Sequence, residues 1–300
     1  MQDGANASGS ASAGAKPTNW SKERRQQFID FRLQWDGRLN RSDLIGYFDI
    51  SVQQASADIS DYAALHAQNI AYDKSAKSYV ATPKFKAAYP TSGPKQYLAQ
   101  LVAVQQGALP PHRSAIGFMP PTDTVPVPER AVDEVTLKHL VHAIQAKLVV
   151  HVEYQSITRD EPTSRDISPH ALVHDGLRWH VRAFCHLRQR FDDMIVGRVL
   201  QARLGGPSPV HVVEDLDWHR HVELVLIPHP DLTPAQRSGV EVDFRMVRGR
   251  TRLNCRTAML YYTLRRLGLD RSGQPLPYPK QIVLANLKDL AYELAILARH

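Results

Sequence analysis

Residues 152–199 read VEYQSITRDEPTSRDISPHALVHDGLRWHVRAFCHLRQRFDDMIVGRV, and this stretch decides the fold of the second half of the chain. Short runs of apolar and β-branched residues predict four strands, over 149–157, 165–173, 177–185 and 194–203. Asp175-Gly176 is a strong hairpin turn between the middle two. Strands in such close succession indicate a small, strongly bent β-barrel, preceded by a helix predicted over 129–147.

Three helical patterns and two short strands come before this region. The first helix is predicted from Trp20 to Asp36, and Asn40 and Ser51 are suitable caps for the second and third. The turn between those two helices needs one residue near the left-handed conformation, which Asp49 tolerates. A predicted hairpin over 69–81 follows, so this part of the chain is interpreted as a winged helix-turn-helix.

The third helix of such a domain presents its N-terminal end to the major groove of DNA. Gln53 and Gln54 can pair with the N6/N7 edge of adenine, and Lys74 and Lys77 on the wing loop can contact phosphates. The candidate DNA-binding residues are Arg41, Ser51, Gln53, Gln54, Ala57, Lys74 and Lys77. An alternative stays open, in which Gln54 serves only as part of the helix cap, Asp58 and Asp61 disfavour DNA, and the module binds a protein.

The predicted barrel is rich in arginine. Between residues 151 and 206 there are eight arginines and no lysine, as expected where a planar guanidinium grips phosphate or carboxylate. Alternation along 177–185 places Arg178, His180 and Arg182 on one face, and Tyr154 and Phe184 can stack on a base. The candidate ligand-binding residues are Tyr154, Ser156, Arg165, His170, Arg182, Phe184, Arg190 and Arg198. The alternative is that the seven acids of this interval pair with the arginines as ordinary surface ion pairs.

The rest of the chain is more varied. Residues 1–19 are rich in Gly, Ala and Ser and predict a disordered leader, and residues 91–130 predict a helix over 96–106 followed by a Pro-rich linker. The last part, 207–300, predicts a mixture of helices and strands. These are strands over 222–227 and 240–247 and helices over 233–238, 256–267 and 280–299. The last of these helices carries an apolar stripe, which packs on its own domain or forms a two-fold contact between copies.

Composition narrows the classes of function. The net charge of +7 suits a polyanionic partner, two cysteines suit a reducing cytoplasm, and no segment is apolar enough to span a membrane. The fourteen histidines show no metal-site spacing, and no nucleotide-binding or hydrolase motif occurs. The sequence therefore predicts a non-enzymatic cytoplasmic protein with no metal and no cofactor.

Residues 152–199 resemble the WYL domain, and residues 20–300 resemble, in domain order, the WYL regulators of bacterial phage-defence operons of the CapW/BrxR type. The most specific part is the hairpin from Ser-Pro-His-Ala-Leu at 168–172 to Arg-Trp-His-Val-Arg at 178–182. The Trp-Tyr-Leu of the family falls on Trp179-His180-Val181, so only its Trp is kept. The Phe-Arg-Leu-Asp-Arg of the family appears as Met194-Ile195-Val196-Gly197-Arg198.

This resemblance implies an α+β multidomain protein. Its expected parts are a winged helix-turn-helix over 20–90, a WYL domain with a small Sm-like β-barrel over 131–206, and a C-terminal α+β dimerisation domain over 207–300. The expected function is that of a homodimeric repressor of a phage-defence operon, which binds a double-stranded DNA operator and senses an anionic effector such as single-stranded DNA or a nucleotide. An activator of a DNA-damage response and a non-catalytic nucleic-acid or protein adaptor remain alternatives. A nucleic-acid-processing enzyme would need a carboxylate cluster or nucleotide loop, which the sequence lacks.

Overall fold

The computed structural model describes residues 17–128, 130–276 and 281–298. The chain forms two compact units, one that ends at Pro126 and one that begins at Val127. Residues 1–16 of the predicted leader lie outside the described residues, and residues 17–19 already belong to the first helix.

Helices and a small sheet form the core of the first unit. Its elements are α1 (Pro17–Asp36), β1 (Arg38–Leu39), α2 (Arg41–Phe48), α3 (Val52–Leu65), β2 (Ile70–Asp73), β3 (Ser78–Ala81) and α4 (Pro94–Gln105). The sheet has the order β1-β3-β2 with antiparallel neighbours. Ile29, Leu44 and Ile59 of the three successive helices are fully buried together. The sequence missed β1, because a strand of two residues leaves no apolar pattern.

The predicted helix boundaries of this unit have clear local causes. The Asp43 carboxylate accepts a hydrogen bond from the backbone N–H of Asn40 at 2.6 Å, at the start of α2. Asp49 has φ 52°, in the left-handed region, and ends that helix. The Ser51 hydroxyl then accepts from the backbone N–H of Gln54 at 3.1 Å and caps α3. The expected turn between the two helices is therefore present.

The Pro-rich stretch packs on the first helix as far as Met119. Apart from a 3₁₀ turn at Pro111–Arg113 it has no regular structure, as expected. The Asp36 carboxylate accepts from the backbone N–H groups of Gly117 at 3.0 Å and Phe118 at 2.9 Å. Ile116 is buried in a small cluster with Phe31 of α1.

The second unit begins with a helix on a five-stranded sheet. Its first elements are α5 (Glu134–Ala146), β4 (Leu148–Tyr154), β5 (Thr163–His174), β6 (Trp179–Cys185), β7 (Arg190–Ile195) and β8 (Val199–Pro207). The antiparallel sheet has the order β7-β6-β5-β4-β8. The strands β4 to β7 form a meander, and the fifth strand, β8, pairs with β4. Leu140 of α5 packs on Val150, Ile167 and Val181, all fully buried. Apolar residues at alternate positions of these strands therefore face the helix, which agrees with the alternation in the sequence.

Two predictions in this region were inaccurate. The helix predicted over 129–147 begins at Glu134, because the Asp133 carboxylate caps it by accepting from the backbone N–H of Thr136 at 2.7 Å; residue 129 lies outside the described residues. The single strand predicted over 194–203 is two strands, separated by a 3₁₀ turn at Val196–Arg198. Close approach to a neighbouring segment explains the turn, since a Cβ on Gly197 would lie 2.5 Å from the carbonyl oxygen of Ala131.

The C-terminal part of this unit is a second, smaller α+β layer. Its elements are α6 (Leu216–His219), β9 (His221–Pro228), α7 (Pro234–Asp243), β10 (Thr251–Arg256), α8 (Leu260–Arg266), β11 (Ile282–Leu284) and α9 (Ala291–Ala298). The sheet order is β10-β9-β11, antiparallel throughout. Leu224 of β9 packs on Leu260 and Leu264 of α8 in its core.

Two further predictions were wrong here. The strand predicted over 240–247 is largely the end of α7, because Thr233 and Gln236 form a capping box that starts the helix and carries it to Asp243. The helix predicted over 280–299 begins as β11, in which Val283 pairs with Ile227, and becomes helical only at Ala291. Lys280 and Arg299 lie outside the described residues.

Candidate functional site

The outward face of α3 is the first candidate site. Ala55, Ile59 and Tyr62 turn into the core, which leaves the opposite side of the helix to solvent. The predicted residues Ser51, Gln53, Gln54 and Ala57 are all exposed. The structure adds two residues that the sequence analysis missed on the same face, Val52 and Ser60.

Both acids of α3 are paired with cations of α1. The Asp58 carboxylate is fully buried and accepts from the Arg25 guanidinium at 2.6 and 3.2 Å. It also accepts from the side-chain amide of Gln54 at 3.1 Å. Asp61 lies 2.6 Å from the ammonium group of Lys22. The charge that would disfavour DNA on this helix is therefore neutralised within the unit.

Further exposed cations of this unit lie on α2, on β1 and on the loop between β2 and β3. Lys74 and Lys77 are exposed on the loop between β2 and β3, and Lys77, the last residue before β3, has φ 49°. Arg41 is exposed at the start of α2, where its guanidinium donates to the Ser56 hydroxyl at 3.4 Å. Arg38, which the sequence analysis missed, is exposed on β1 beside the wing strand β3. This arrangement can place cations on both sides of a helix that carries no unpaired acid.

A cavity of about 560 Å³ in the second unit is the second candidate site. It lies between the WYL-like sheet and α8, so both halves of the unit contribute walls. Gly176 has φ +100°, and a Cβ there would lie 2.8 Å from a guanidinium nitrogen of Arg266, so the hairpin turn of the sheet touches α8. The polar and aromatic side chains of the lining are Tyr154, Asp175, Arg178, His180, Asp193, Arg198, Tyr261, Tyr262, Arg265 and Arg266.

Positive charge exceeds negative charge in this cavity. The Asp175 carboxylate accepts from Arg178 at 3.3 Å and from His180 at 3.0 Å. Burial alone would raise the pKa of Asp175, but the hydrogen bonds from His180 and from two backbone N–H groups hold it well below its usual range. Three lining arginines have no carboxylate within ion-pair distance in the part of the chain that the structure describes. They are Arg198, Arg265 and Arg266.

The pKa values of two neighbouring tyrosines of α8 are shifted in opposite directions. Burial and the neighbouring Asp193 carboxylate raise the pKa of Tyr262, whose hydroxyl donates to Asp193 at 3.3 Å. Burial alone would also raise the pKa of Tyr261, but hydrogen bonds from Arg271 and Arg265 lower it. Tyr262 is thus held in place, and Tyr261 lies among arginines where a base could stack.

Two predicted ligand-binding residues meet instead at a buried carboxylate. Asp215 accepts from Arg182 through two bonds of 2.8 Å and from His170 at 2.9 Å. Arg182 also donates to Asp193 at 3.3 Å. Burial alone would raise the pKa of Asp215, but the bonds from Arg182 and His170 hold it well below its usual range. The Arg182 guanidinium therefore ties the sheet to the segment that follows it.

The other predicted residues are dispersed. Tyr154 and Arg198 line the 560 Å³ cavity. Arg165 is buried beside the Tyr154 ring, 5.2 Å from its centre, and one of its terminal nitrogens has no hydrogen-bond partner among the residues that the structure describes. Ser156 bonds the Thr158 hydroxyl, Phe184 packs on Phe191, and Arg190 is exposed and pairs with Asp192.

The contribution of α8 to this cavity was not predicted, although the sequence carries a signal for it. The run Tyr261-Tyr262-Thr263-Leu264-Arg265-Arg266 places aromatic and basic residues four positions apart, on one face of a helix.

Neither a metal-ligand cluster nor a membrane-spanning helix occurs in the part of the chain that the structure describes. Among residues 17–128, 130–276 and 281–298, no three His, Cys, Asp or Glu side chains come close enough together to hold a metal ion. Within the same ranges, no helix has the length and apolarity needed to cross a membrane.

Three family models match the chain in sequence order. The winged helix-turn-helix domain of the BrxR transcriptional regulator matches residues 21–103, the WYL domain matches residues 135–204, and the C-terminal dimerization domain of the BrxR transcriptional regulator matches residues 221–290. None of the three describes a catalytic domain. With the helices and sheets described above, they confirm the predicted fold class and the WYL resemblance.

Curated relatives match over nearly the whole chain. Proteins named DNA-binding transcriptional repressor CapW from Stenotrophomonas maltophilia and Pseudomonas aeruginosa are each 42% identical, over 93% of this chain and 94% or 95% of their own lengths. The protein of the same name from Escherichia coli strain KTE188 is 40% identical over 94% of both chains. A solved structure, proteasome accessory factor B/C of Arthrobacter aurescens, aligns with 91% of this chain at 16% identity with a TM-score of 0.26. The chain spans 45% of the length of that structure, and a score so low supports no argument.

Proposed function

The chain belongs to the family of WYL-domain transcriptional repressors that includes CapW, and on this premise we propose that it represses transcription by binding an operator as a homodimer. The observation that carries the proposal is the exposed N-terminal face of α3. Both acids of this helix are paired with cations of α1, and the Gln53 side chain has no hydrogen-bond partner among the described residues. A helix of this kind can enter the major groove, where its first residues meet the base edges.

The flanking cations supply the remaining part of DNA binding. Lys74, Lys77, Arg38 and Arg41 are exposed around α3 and can contact phosphates, which gives affinity without sequence choice. Gln53 is the residue that reads sequence, because its amide can donate to and accept from adenine at the same time.

Dimer formation follows from the C-terminal half of the second unit, whose residues 221–290 match a dimerization domain. Two copies related by a two-fold axis would present two α3 helices to the two halves of a palindromic operator. Light scattering is expected to give twice the chain mass of 33.7 kDa. A monomer at micromolar concentration would contradict this part of the proposal.

The 560 Å³ cavity is the proposed effector site. Its surplus of arginines fits an anion, and the partly exposed Tyr261 offers an aromatic ring for a base, so a nucleotide or a short single strand of DNA suits its chemistry. An effector there would contact both the sheet and the C-terminal layer. It could change operator affinity only by binding one arrangement of the dimer more tightly than another.

The genes under control are proposed to be a phage-defence operon, on the resemblance to regulators of such operons. Because a repressor acts on chromosomal DNA, we also place the protein in the cytoplasm.

A reporter fused to the promoter upstream of the protein's own gene tests repression. The wild-type chain should lower expression, and Gln53→Ala should restore it, because the variant loses a base contact. Leu65→Ala is the control, since Leu65 is an exposed residue at the far end of α3. If the wild-type chain instead raised expression and Gln53→Ala lowered it again, the chain would be an activator.

Release of operator DNA tests the effector site. A single-stranded oligonucleotide or a nucleotide is added to the protein–operator complex, and the dissociated fraction is measured. The double variant Arg198→Ala/Arg265→Ala should need at least tenfold more of the anion. Arg190→Ala is a matched control, because Arg190 is an exposed arginine outside the cavity lining. Equal responses of all three proteins would refute the cavity as the effector site.

A further inference from the structure

Val52 is an exposed apolar residue at the tip of the face proposed to read DNA. It is the first residue of α3 and remains 53% exposed. The residues one helical turn further along, Ser56 and Ala57, have small side chains. The Ser56 hydroxyl is turned back onto the helix, where it donates to the Val52 carbonyl oxygen at 2.9 Å.

Folding does not require a valine at this position. The core of α3 is formed by Ala55, Ile59 and Tyr62, and Val52 is not among the residues that pack on that core. A β-branched residue is also a poorer helix former than alanine. An exposed valine here therefore has no role within the unit.

The adjacent polar groups restrict what this apolar side chain can meet. The amide of Gln54 is held by Asp58 at 3.1 Å, whereas the amide of Gln53 has no hydrogen-bond partner within the described part of the chain. Because Asp58 is itself paired with Arg25 and Asp61 with Lys22, neither acid of α3 presents an unpaired charge to DNA. The small side chains of Ser56 and Ala57 let the helix backbone come close to the base edges.

We propose that Val52 contacts the 5-methyl group of a thymine in each operator half-site, beside an adenine bound by Gln53. The inference rests on the proposed function, namely that α3 enters the major groove. The thymine methyl is the apolar group that the major groove displays, and apolar side chains are its usual partners. Val52 thus selects thymine over cytosine at one position through an apolar contact, whereas Gln53 reads its neighbour through hydrogen bonds.

Replacing thymine by deoxyuridine tests this directly, because only the methyl group is removed. Duplex DNA is prepared from upstream of the protein's own gene, and the region that the bound protein protects from nuclease cleavage is identified. Each thymine of this protected region is then replaced in turn, and Kd is measured in the presence of unrelated competitor DNA. One position in each half-site should weaken wild-type binding about fourfold, the effect of burying one methyl-sized group. Thymines outside the protected region serve as the DNA control.

Two variants link the effect to the residue. Val52→Ala should bind the thymine duplex about fourfold more weakly and should not distinguish it from the deoxyuridine duplex. Leu65→Ala, which shortens an exposed apolar residue at the other end of α3, should discriminate as the wild type does.

The failures are separable. Tight, specific binding with no sensitive thymine, or discrimination that survives in Val52→Ala, overturns the inference and leaves the proposed function intact. Binding that is equally weak for all duplexes overturns both.

Discussion

Arg182→Ala should destabilise the second unit more than any other substitution of a predicted ligand-binding arginine. The Arg182 side chain is 7% exposed and bonds Asp215 twice and Asp193 once. Its removal leaves one carboxylate that is 1% exposed and another that is 11% exposed without their guanidinium partner. A buried carboxylate without its cation is costly, because it has given up its hydration and no other charge stabilises it.

The expected loss of stability depends on the hydrogen bonds that each carboxylate keeps in the variant. Removing one partner of a buried pair costs about 3–5 kcal/mol. Asp215 keeps its bond from His170 and one from the backbone N–H of Trp218, while Tyr262 still donates to Asp193. Burial already raises the pKa of Asp193, so this carboxyl group can take up a proton at modest cost. The lower end of the range, about 3 kcal/mol, is therefore expected.

Urea unfolding followed by tryptophan fluorescence measures this loss. With a slope of about 2 kcal/mol per molar urea, the midpoint of the second unit should fall by about 1.5 M. Arg190→Ala is the control, because its exposed pair with Asp192 is worth less than about 1 kcal/mol. A loss below about 1 kcal/mol in Arg182→Ala would refute the view that Arg182 is a structural cation.

Charged groups of both units give three further expected outcomes. Replacing Lys74 and Lys77 together by alanine should reduce the slope of log Kd against log salt by about 2, which salt titrations of operator binding measure. Asp58→Ala leaves the part-buried Arg25 without a carboxylate and should cost the first unit about 3 kcal/mol in denaturant unfolding, whereas Asp61→Ala, at an exposed pair, should cost less than about 1 kcal/mol. The pKa of Asp215 is lowered in the folded state, so its contribution to stability is present above the unfolded pKa of about 3.9 and is lost as the pH falls below that value. Free energies of unfolding measured between about pH 6 and 2 should therefore fall less with acid in Arg182→Ala than in the wild type.

The first unit was predictable because its signals are local. Asn40 and Ser51 cap their helices through bonds to residues three positions away, and Asp49 ends α2 with its own backbone conformation. Signals of that kind are visible in a short window of sequence, and the predicted winged helix-turn-helix is confirmed.

The C-terminal layer was harder because its elements are chosen by distant partners. Val283 stands at helical spacing from Leu287 and Leu290, yet it forms a strand because β9 offers it an edge more than fifty residues away in sequence. The apolar pattern at 240–247 also suits either structure, and the cap at Thr233 decides for the helix. Short apolar runs do not distinguish strand from helix without such context.

The ligand-binding predictions show the same limit. Sequence placed Arg182 among residues that face a ligand, but its carboxylate partner Asp215 lies 33 residues further on. Tyr154 and Arg198 line the 560 Å³ cavity, and their role in binding an effector stays a prediction. The opposite wall comes from α8, which only the folded chain brings to the sheet.

Operator binding is the most direct test of the account. Purified protein is titrated against duplex DNA from upstream of its own gene, with unrelated DNA as competitor, and wild type is compared with Gln53→Ala. Gln54→Ala is the matched control, since the amide of Gln54 is bonded to Asp58 and its backbone cap is kept. Tight, competitor-resistant binding that Gln53→Ala weakens at least tenfold and Gln54→Ala weakens less is the predicted result. Weak binding that is equal for all sequences, or equal in all three proteins, would contradict the claim that α3 reads an operator.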